Sequence, residues 1–281
     1  ALRGGTPAAA GPSGTAAPSP SPEAARRTDP LVDDLESLRT GRRSRVQKVL
    51  DANPEPAPLL VAGLIPLLAR DQVYPEVVRA LRRVSRRSTG QLVDALLDPR
   101  VDPVVRRRVP RVLKACPTAR AADGLRRALE DTAFGVRAAA AAALAALHEK
   151  DPEIALLRDD VLAQVRVELA RPAGGERQLA HVFTLLSLAL EPEPLRIAWA
   201  ALRGRDRALR GTALEYLDTV LPDDIFKPLR DRCGGEPETK VAPRPVEQVA
   251  AELRASSVNL RLDRPPWGPE DGEGGGAAEG Q

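Results

Sequence analysis

AADGLRRALEDTAFGVRAAAAAALAAL, residues 121–147, reads as two short helices folded on each other. In the first, Leu125, Ala128 and Leu129 recur at the i, i+3, i+4 spacing of an amphipathic helix. Asp131 and Thr132 interrupt the run and offer N-capping oxygens to the second helix. That helix starts near Gly135 and sets Val136, Ala139, Ala140, Ala143, Leu144 and Leu147 on a buried stripe. Alanine combines the best helix propensity with almost no bulk, so this helix can approach its neighbours closely. Such a surface needs partners on more than one side, and a packed row of helices supplies them.

On either side the same outline returns. LIPLLARDQVYPEVVRALRRV spans 64–84, LVDALLDPRVDPVVRRRVPRVL spans 92–113, and GLRRALEDTAFGVRAAAAAAL spans 124–144. Each holds an apolar helix, a turn aspartate (Asp71, Asp98, Asp131) and a second helix carrying a Val-Arg step. Those steps fall at Val78, Val105 and Val136, 27 and 31 residues apart. ALRGRDRALRGTALEYL at 201–217 echoes the pattern with Leu209-Arg210. Periods of this size mark units that cannot bury their apolar faces alone and must stack.

These residues resemble HEAT-like repeats, in which a turn Asp, a Val-Arg step and an Ala-rich second helix recur. The match covers 64–147 and, less completely, 178–221. Its spacing is tighter than the roughly 40–47 residues of long HEAT units, so it is similar to the short HEAT-like class. The resemblance implies an all-α, armadillo-like α-solenoid, an alpha-alpha superhelix of helix pairs. Pro66 and Pro110 fall inside predicted helices and depart from the pattern, since proline removes a helical donor.

Composition agrees with thin helical layers. Hydrophobic residues make up 43% of the chain but aromatics only 2%, and methionine is absent, which disfavours a sandwich or barrel rich in aromatic and β-branched residues. Residues 1–30 hold Pro, Gly, Ala and Ser with few bulky apolar groups, and read as a disordered linker. The solenoid occupies 31–232. It opens with helices over 31–38, started by Asp29-Pro30, and over 42–52, with Val46, Val49 and Leu50 inward. Residues 152–170 read as one helix with Ile154, Leu157, Val161, Val165 and Leu169 inward. Three helices come next, punctuated by Pro192, Pro194 and Pro222. Residues 233–281 read as a mostly disordered tail with a short amphipathic helix near 246–253 that docks on the last helix pair.

No window reaches the roughly 18 apolar residues of a membrane span, and the start lacks the features of a signal peptide. Cys116, placed on an apolar helix face, and Cys233 are far apart, so a reducing, cytoplasmic compartment is expected. The Arg-over-Lys bias points to a high-GC bacterial source. The absence of an initiator Met suggests the C-terminal module of something longer.

Charge is uneven. Residues 31–150 carry 22 basic and 14 acidic side chains, a balance of +8, while 151–232 balance to −2 and the tail from 233 to −4. Arg79, Arg82, Arg83 and Arg86 are expected to share one helix face, and Arg107, Arg111 and Lys114 the next. Stacking lays the two stripes side by side, which suits an acidic protein, a phosphorylated group or nucleic acid. An ordinary solvated helix face explains the same charges, with Arg106 and Arg137 in structural pairs with turn aspartates. Nucleic acid is the less favoured partner, because aromatic stacking platforms are missing.

Chemistry is scarce. There is no Gly-rich phosphate loop and no nucleophile elbow. His148 sits where it caps a helix C-terminus. His181 lies on an apolar helix and reads as packed; no partner for base chemistry can be named from the sequence. Neither joins a cluster at metal-ligand spacing, so no catalytic residue, cofactor or metal is expected. Asp159-Asp160 and Asp223-Asp224 read as helix-start residues. RRVS at 82–85 looks like a basophilic kinase site, Trp199 like core, and Trp267, in RPPWGPE, like a short docking motif or a tail residue.

The leading expectation is a non-catalytic HEAT-like scaffold that binds another protein or an upstream domain of the same chain. It predicts no deep polar pocket, and a buried cluster of convergent ionisable groups counts against it. The 178–221 segment is similar to soluble repeats of bacterial nucleotide-transporter-type membrane proteins. That likeness implies the cytosolic regulatory domain of an ADP/ATP-translocase-type transporter. Other HEAT-like proteins are bilin lyases or alkylpurine DNA glycosylases, which implies a basic face on DNA. A glycosylase needs aromatics and a carboxylate around an extruded base, and the helix stripes here do not offer both together.

Overall fold

A computed structural model describes residues 29–152, 154, 157–234 and 244–256. The linker expected over most of 1–30, and the tail beyond 256 including Trp267, lie outside the described residues. Among the described residues there are fourteen α-helices and no strand. In order they are α1 (Pro30–Arg39), α2 (Arg43–Ala52), α3 (Pro58–Leu64), α4 (Tyr74–Arg83), α5 (Ser85–Leu97), α6 (Pro103–Leu113) and α7 (Ala119–Arg127). There follow α8 (Phe134–Lys150), α9 (Arg158–Ala170), α10 (Gly175–Leu186), α11 (Pro192–Arg203), α12 (Arg207–Val220), α13 (Asp223–Arg232) and α14 (Val246–Ser256). Single 3-10 turns, Ile65–Ala69 and Ala128–Glu130, continue α3 and α7. None of the helices is long and apolar enough to cross a membrane.

Local sequence sets several of these boundaries. Asp29 accepts from the Leu31 amide at 2.9 Å and Pro30 follows as the first helical residue, the arrangement in which proline's missing N–H costs nothing. Asp102-Pro103 starts α6 the same way, with Val104 N donating to Asp102 at 2.7 Å. Thr118 caps α7 through Ala121 N. After α1 the chain reverses at Gly41, φ +62, the left-handed conformation glycine adopts past a helix end. Pro66 sits at the start of the 3-10 turn, whereas Pro110 is buried inside α6, which continues to Leu113.

Helices pair in chain order: α1 with α2, α3 with α4, α5 with α6, α7 with α8, α9 with α10 and α11 with α12. They also touch at one remove. The odd helices α1, α3, α5 and α7 contact one another in succession, as do the even helices α4, α6, α8 and α10. The core therefore runs between two files. Where α5 and α7 meet, a Cβ on Gly124 would stand 2.5 Å from Val93 Cγ2, so only glycine fits that crossing. Beyond α10 the pattern changes: α13 turns back onto α9, and α14 lies across α11 and α12.

Arginines tie the helices together. The last carbonyls of a helix have no partner within it, and here long side chains from neighbouring helices supply donors. Arg82 reaches the Arg111 carbonyl of α6, Arg158 the Val220 carbonyl of α12, and Arg232 the Leu169 carbonyl of α9. The arginines of two Val-Arg steps, and that of the Leu209-Arg210 echo, go further. Arg106 donates to its own turn at the Val101 carbonyl (3.2 Å) and pairs with Asp131 of the next unit. Arg137 donates to the Asp131 and Thr132 carbonyls and pairs with Glu168 of α9. Arg210 donates to the Leu202 carbonyl and to the Cys233 and Gly234 carbonyls.

Several sequence expectations need correction. The helix expected over 152–170 begins only at Arg158, and Leu157, expected inward, is 68% exposed. Ahead of it Pro152 lies in a turn and Ile154 in a bend, where Ile154 N donates to the Asp151 carbonyl at 3.1 Å. In α8, Ala139 is half-buried and Ala141 is buried, because α6, α7 and α10 all pack on this helix and widen its inner face. Asp131 accepts from Ala133 N at 2.8 Å, one residue ahead of α8, so it braces the turn and does not cap the helix N-terminus. Cys116 is buried, but in the connection after α6, with its sulfur 3.4 Å from Thr89 Oγ1.

Candidate functional site

The seven cations expected on a partner face are divided by the fold. Arg79, Arg82 and Arg83 lie on α4, which ends at Arg83; Arg86 belongs to α5. The four therefore do not form one helix stripe. Arg82 bonds the Arg111 carbonyl at 2.9 and 3.1 Å, while Arg83 reaches the other way, to the Pro54 carbonyl at 3.2 Å. Arg111 donates to the Tyr74 hydroxyl at 3.3 Å. Arg107 lies over Gly135, where a Cβ would meet its Cδ at 2.9 Å. Lys114 is half-buried, and its carbonyl accepts Lys150 Nζ at 3.1 Å. Arg79, Arg86 and Arg107 stay exposed and pair with no carboxylate among the described residues. The structure brings Arg82 and Arg111 together, but as a cap on α6. Ser85, the acceptor of the kinase-like motif, is 2% exposed and donates to the Arg82 carbonyl. That motif is closed to an enzyme.

A cluster that sequence reasoning missed lies where α8, α9 and α10 meet. Glu168 has no exposed surface, and Arg137 binds its carboxylate at 2.6 and 3.3 Å. Arg171 Nε lies 3.5 Å from Glu168 Oε1, and His181 Nε2 lies 3.8 Å from the same oxygen. His181 is buried and stacks edge-on against Phe134, centroids 5.7 Å apart. Burial alone raises the Glu168 carboxyl, but contact with His181 and Arg137 outweighs it and holds the group below its ordinary value. This is the convergent ionisable cluster that counts against a pure scaffold. Its geometry, however, is that of a lock. Arg137 covers both carboxylate oxygens, and the side chains of Arg137, Glu168 and His181 are sealed from solvent. A general acid or base must reach its substrate; the Glu168 and His181 side chains have almost no surface from which to do so. His181 is packed, as its apolar helix suggested; its position beside a buried glutamate follows from a helix crossing that no sequence window contains.

A cavity of about 520 Å³ opens between α10, α11 and α13, a size typical of binding pockets. Leu179, Trp199 and Leu202 supply its apolar wall, and Ala173 and Gly175 its edge. Trp199 is buried against Phe183, ring centroids 4.8 Å apart, with the Arg203 guanidinium 5.2 Å from its own ring centre. Arg203 pairs with Glu176. Arg232 is held by Gln178 Oε1 at 2.8 Å and by the Leu169 and Arg171 carbonyls at 2.6 Å each. Burial pushes the Cys233 thiol up to about 11, with Arg210 offsetting part of the rise, so it stays protonated at neutral pH and is a poor nucleophile. The wall contains the core tryptophan expected from the sequence; the concavity itself depends on α13 folding back, which local pattern does not encode. The chain matches no family model, no curated protein and no solved structure.

Proposed function

We propose that the chain is a HEAT-like α-solenoid acting as a non-catalytic scaffold for protein–protein interaction, the module of a larger bacterial protein. The observation that carries this reading is the shared use of the arginines at two Val-Arg steps, Arg106 and Arg137, and at the Leu209-Arg210 echo. Arg106, Arg137 and Arg210 each tie a turn of their own unit to the unit that follows. Arginines that bridge one unit to the next at several points along the chain favour units stacked on their neighbours, and such stacks recognise partners with their flanks. Arg79, Arg86 and Arg107 are the charges left available for an acidic protein surface. The engagement of Arg82, Arg83 and Arg111 with carbonyls and Tyr74 shortens the basic track that nucleic acid would follow.

The test is crosslinking and affinity purification from the native host, followed by reconstitution with each purified partner. Binding to wild type and to an Arg79→Glu/Arg107→Glu variant is then compared at several ionic strengths. A several-fold, salt-sensitive loss of affinity for a protein partner supports the reading. Salt-dependent retention of duplex DNA by wild type, with no protein partner affected by the variant, sinks it.

A further inference from the structure

We propose that the face of α11 and α12 covered by α14 is a helix-docking groove, and that α14 is its built-in, releasable occupant. The outside partner is an amphipathic helix of another protein, with an arginine at each end of its apolar stripe. The inference goes beyond the scaffold reading: it uses none of Arg79, Arg86 or Arg107 and stands without them. The first observation is position. α11 and α12 are the last helices to pair in chain order; α13 returns to α9, and α14 lies across α11 and α12. The end of a stack needs a cap with a polar outer face. α14 is built that way. Val249, Ala250 and Leu253 are buried, while Glu247, Gln248, Glu252 and Ser256 are exposed.

The second observation is how lightly the cap is held. Three side chains, one of them an alanine, are the buried residues of an 11-residue helix. Ordering a helix costs backbone entropy at every residue, so this element keeps a small margin and belongs to the class that opens locally. The third is charge. The rim of the covered face carries Glu191, Glu193 and Glu215. Arg254 pairs with Glu191 at 2.8 Å and with Glu193 at 3.1 Å, and Arg244 binds Glu215 at 2.6 Å. The glutamate side chains are 25–73% exposed, so these pairs orient the helix and select its charge more than they add affinity. With α14 lifted, an apolar strip edged by three carboxylates remains, which suits a helix laid in a groove by i, i+3, i+4, i+7 anchors. In α14 those anchors are Val246, Val249, Ala250 and Leu253. The acidic rim turns away a helix with acidic ends.

The test has two arms, both on the full chain. In hydrogen exchange on the wild type, the amides of α14 are expected to exchange about ten-fold or more faster than those of α11 and α12. In the second arm, Leu253→Asp unseats α14, and a fluorescein-labelled peptide of residues 244–256 is titrated by anisotropy. The cap withholds the groove in the wild type, so the peptide is expected to bind the variant about ten-fold or more tighter. A peptide carrying Arg244→Glu and Arg254→Glu is expected to lose several-fold in affinity, with a smaller loss at high salt. Exchange of α14 in step with α11 and α12 overturns the proposal, as does equal peptide binding to wild type and variant. Loss in Leu253→Asp of far-UV circular dichroism beyond that of one helix also overturns it, since α14 is then inseparable from the core. A variant that forms a dimer in sedimentation equilibrium and excludes the peptide assigns the groove to a second copy and overturns the outside partner.

Discussion

Replacing Arg137 by methionine tests the lock where α8, α9 and α10 meet. The guanidinium makes four bonds: to Glu168 Oε1 at 2.6 Å and Oε2 at 3.3 Å, and to the carbonyls of Asp131 at 2.9 Å and Thr132 at 3.0 Å. Methionine keeps the apolar stem and leaves Glu168 charged with no solvent contact. Stranding one member of a buried pair costs about 3–5 kcal/mol. Arg171 and His181, at 3.5 and 3.8 Å from Oε1, recover part of that. The two carbonyls add back about 1 kcal/mol between them, because turn groups near the surface find water. The expected loss is about 4 kcal/mol, a fall in Tm of roughly 8–16 °C for a chain of this size. Glu168→Gln added to Arg137→Met removes the stranded charge, so the double variant regains about 2 kcal/mol. Urea denaturation followed by circular dichroism and tryptophan emission measures all three variants. A loss below about 1 kcal/mol for Arg137→Met, or strict additivity in the double variant, refutes the lock.

Gly124→Ala drives a Cβ to 2.5 Å from Val93 Cγ2 and is expected to cost about 1–3 kcal/mol by overpacking; Val93→Ala in the same chain recovers much of it, and a neutral Gly124→Ala contradicts the close crossing of α5 and α7. Leu157→Gln is expected to change stability by less than about 0.5 kcal/mol, since the side chain is 68% exposed, whereas an inward Leu157 demands a loss several times larger. Glu168 is held below its unfolded value of 4.5, so its contribution is complete above that pH and drains away as pH falls through the lower folded value. Stability curves of wild type and Glu168→Gln therefore converge on acidification below about 4.5, and parallel curves there exclude the assignment.

Much of the helical scaffold was legible because it is encoded locally. Asp29-Pro30 fixes a helix start within two residues of chain, and the apolar spacing of Val46, Val49 and Leu50 names a buried face that the structure buries. Val161, Val165 and Leu169 are buried as their spacing predicts, while Leu157 is not. One apolar residue extends a periodic pattern on paper, but a helix continues only where a neighbour covers it, and α9 has its first turn at Arg158. The basic stripe was legible as charge and not as geometry. Val84 separates α4 from α5, and that break reassigns Arg86 to another helix.

The helical character of the described residues, the repeat spacing and some of the helix starts are written in the order of residues, because propensity, capping and periodicity act over a few positions. Folding alone settles where the arginines spend their donors, that Glu168 is sealed between Arg137 and His181, and that α13 returns to α9 to leave a cavity beside Trp199. The cause is reach. An arginine side chain can serve solvent, a carboxylate or the bare end of a helix thirty or sixty residues away. Which it serves depends on how helices cross, a quantity absent from any window of sequence.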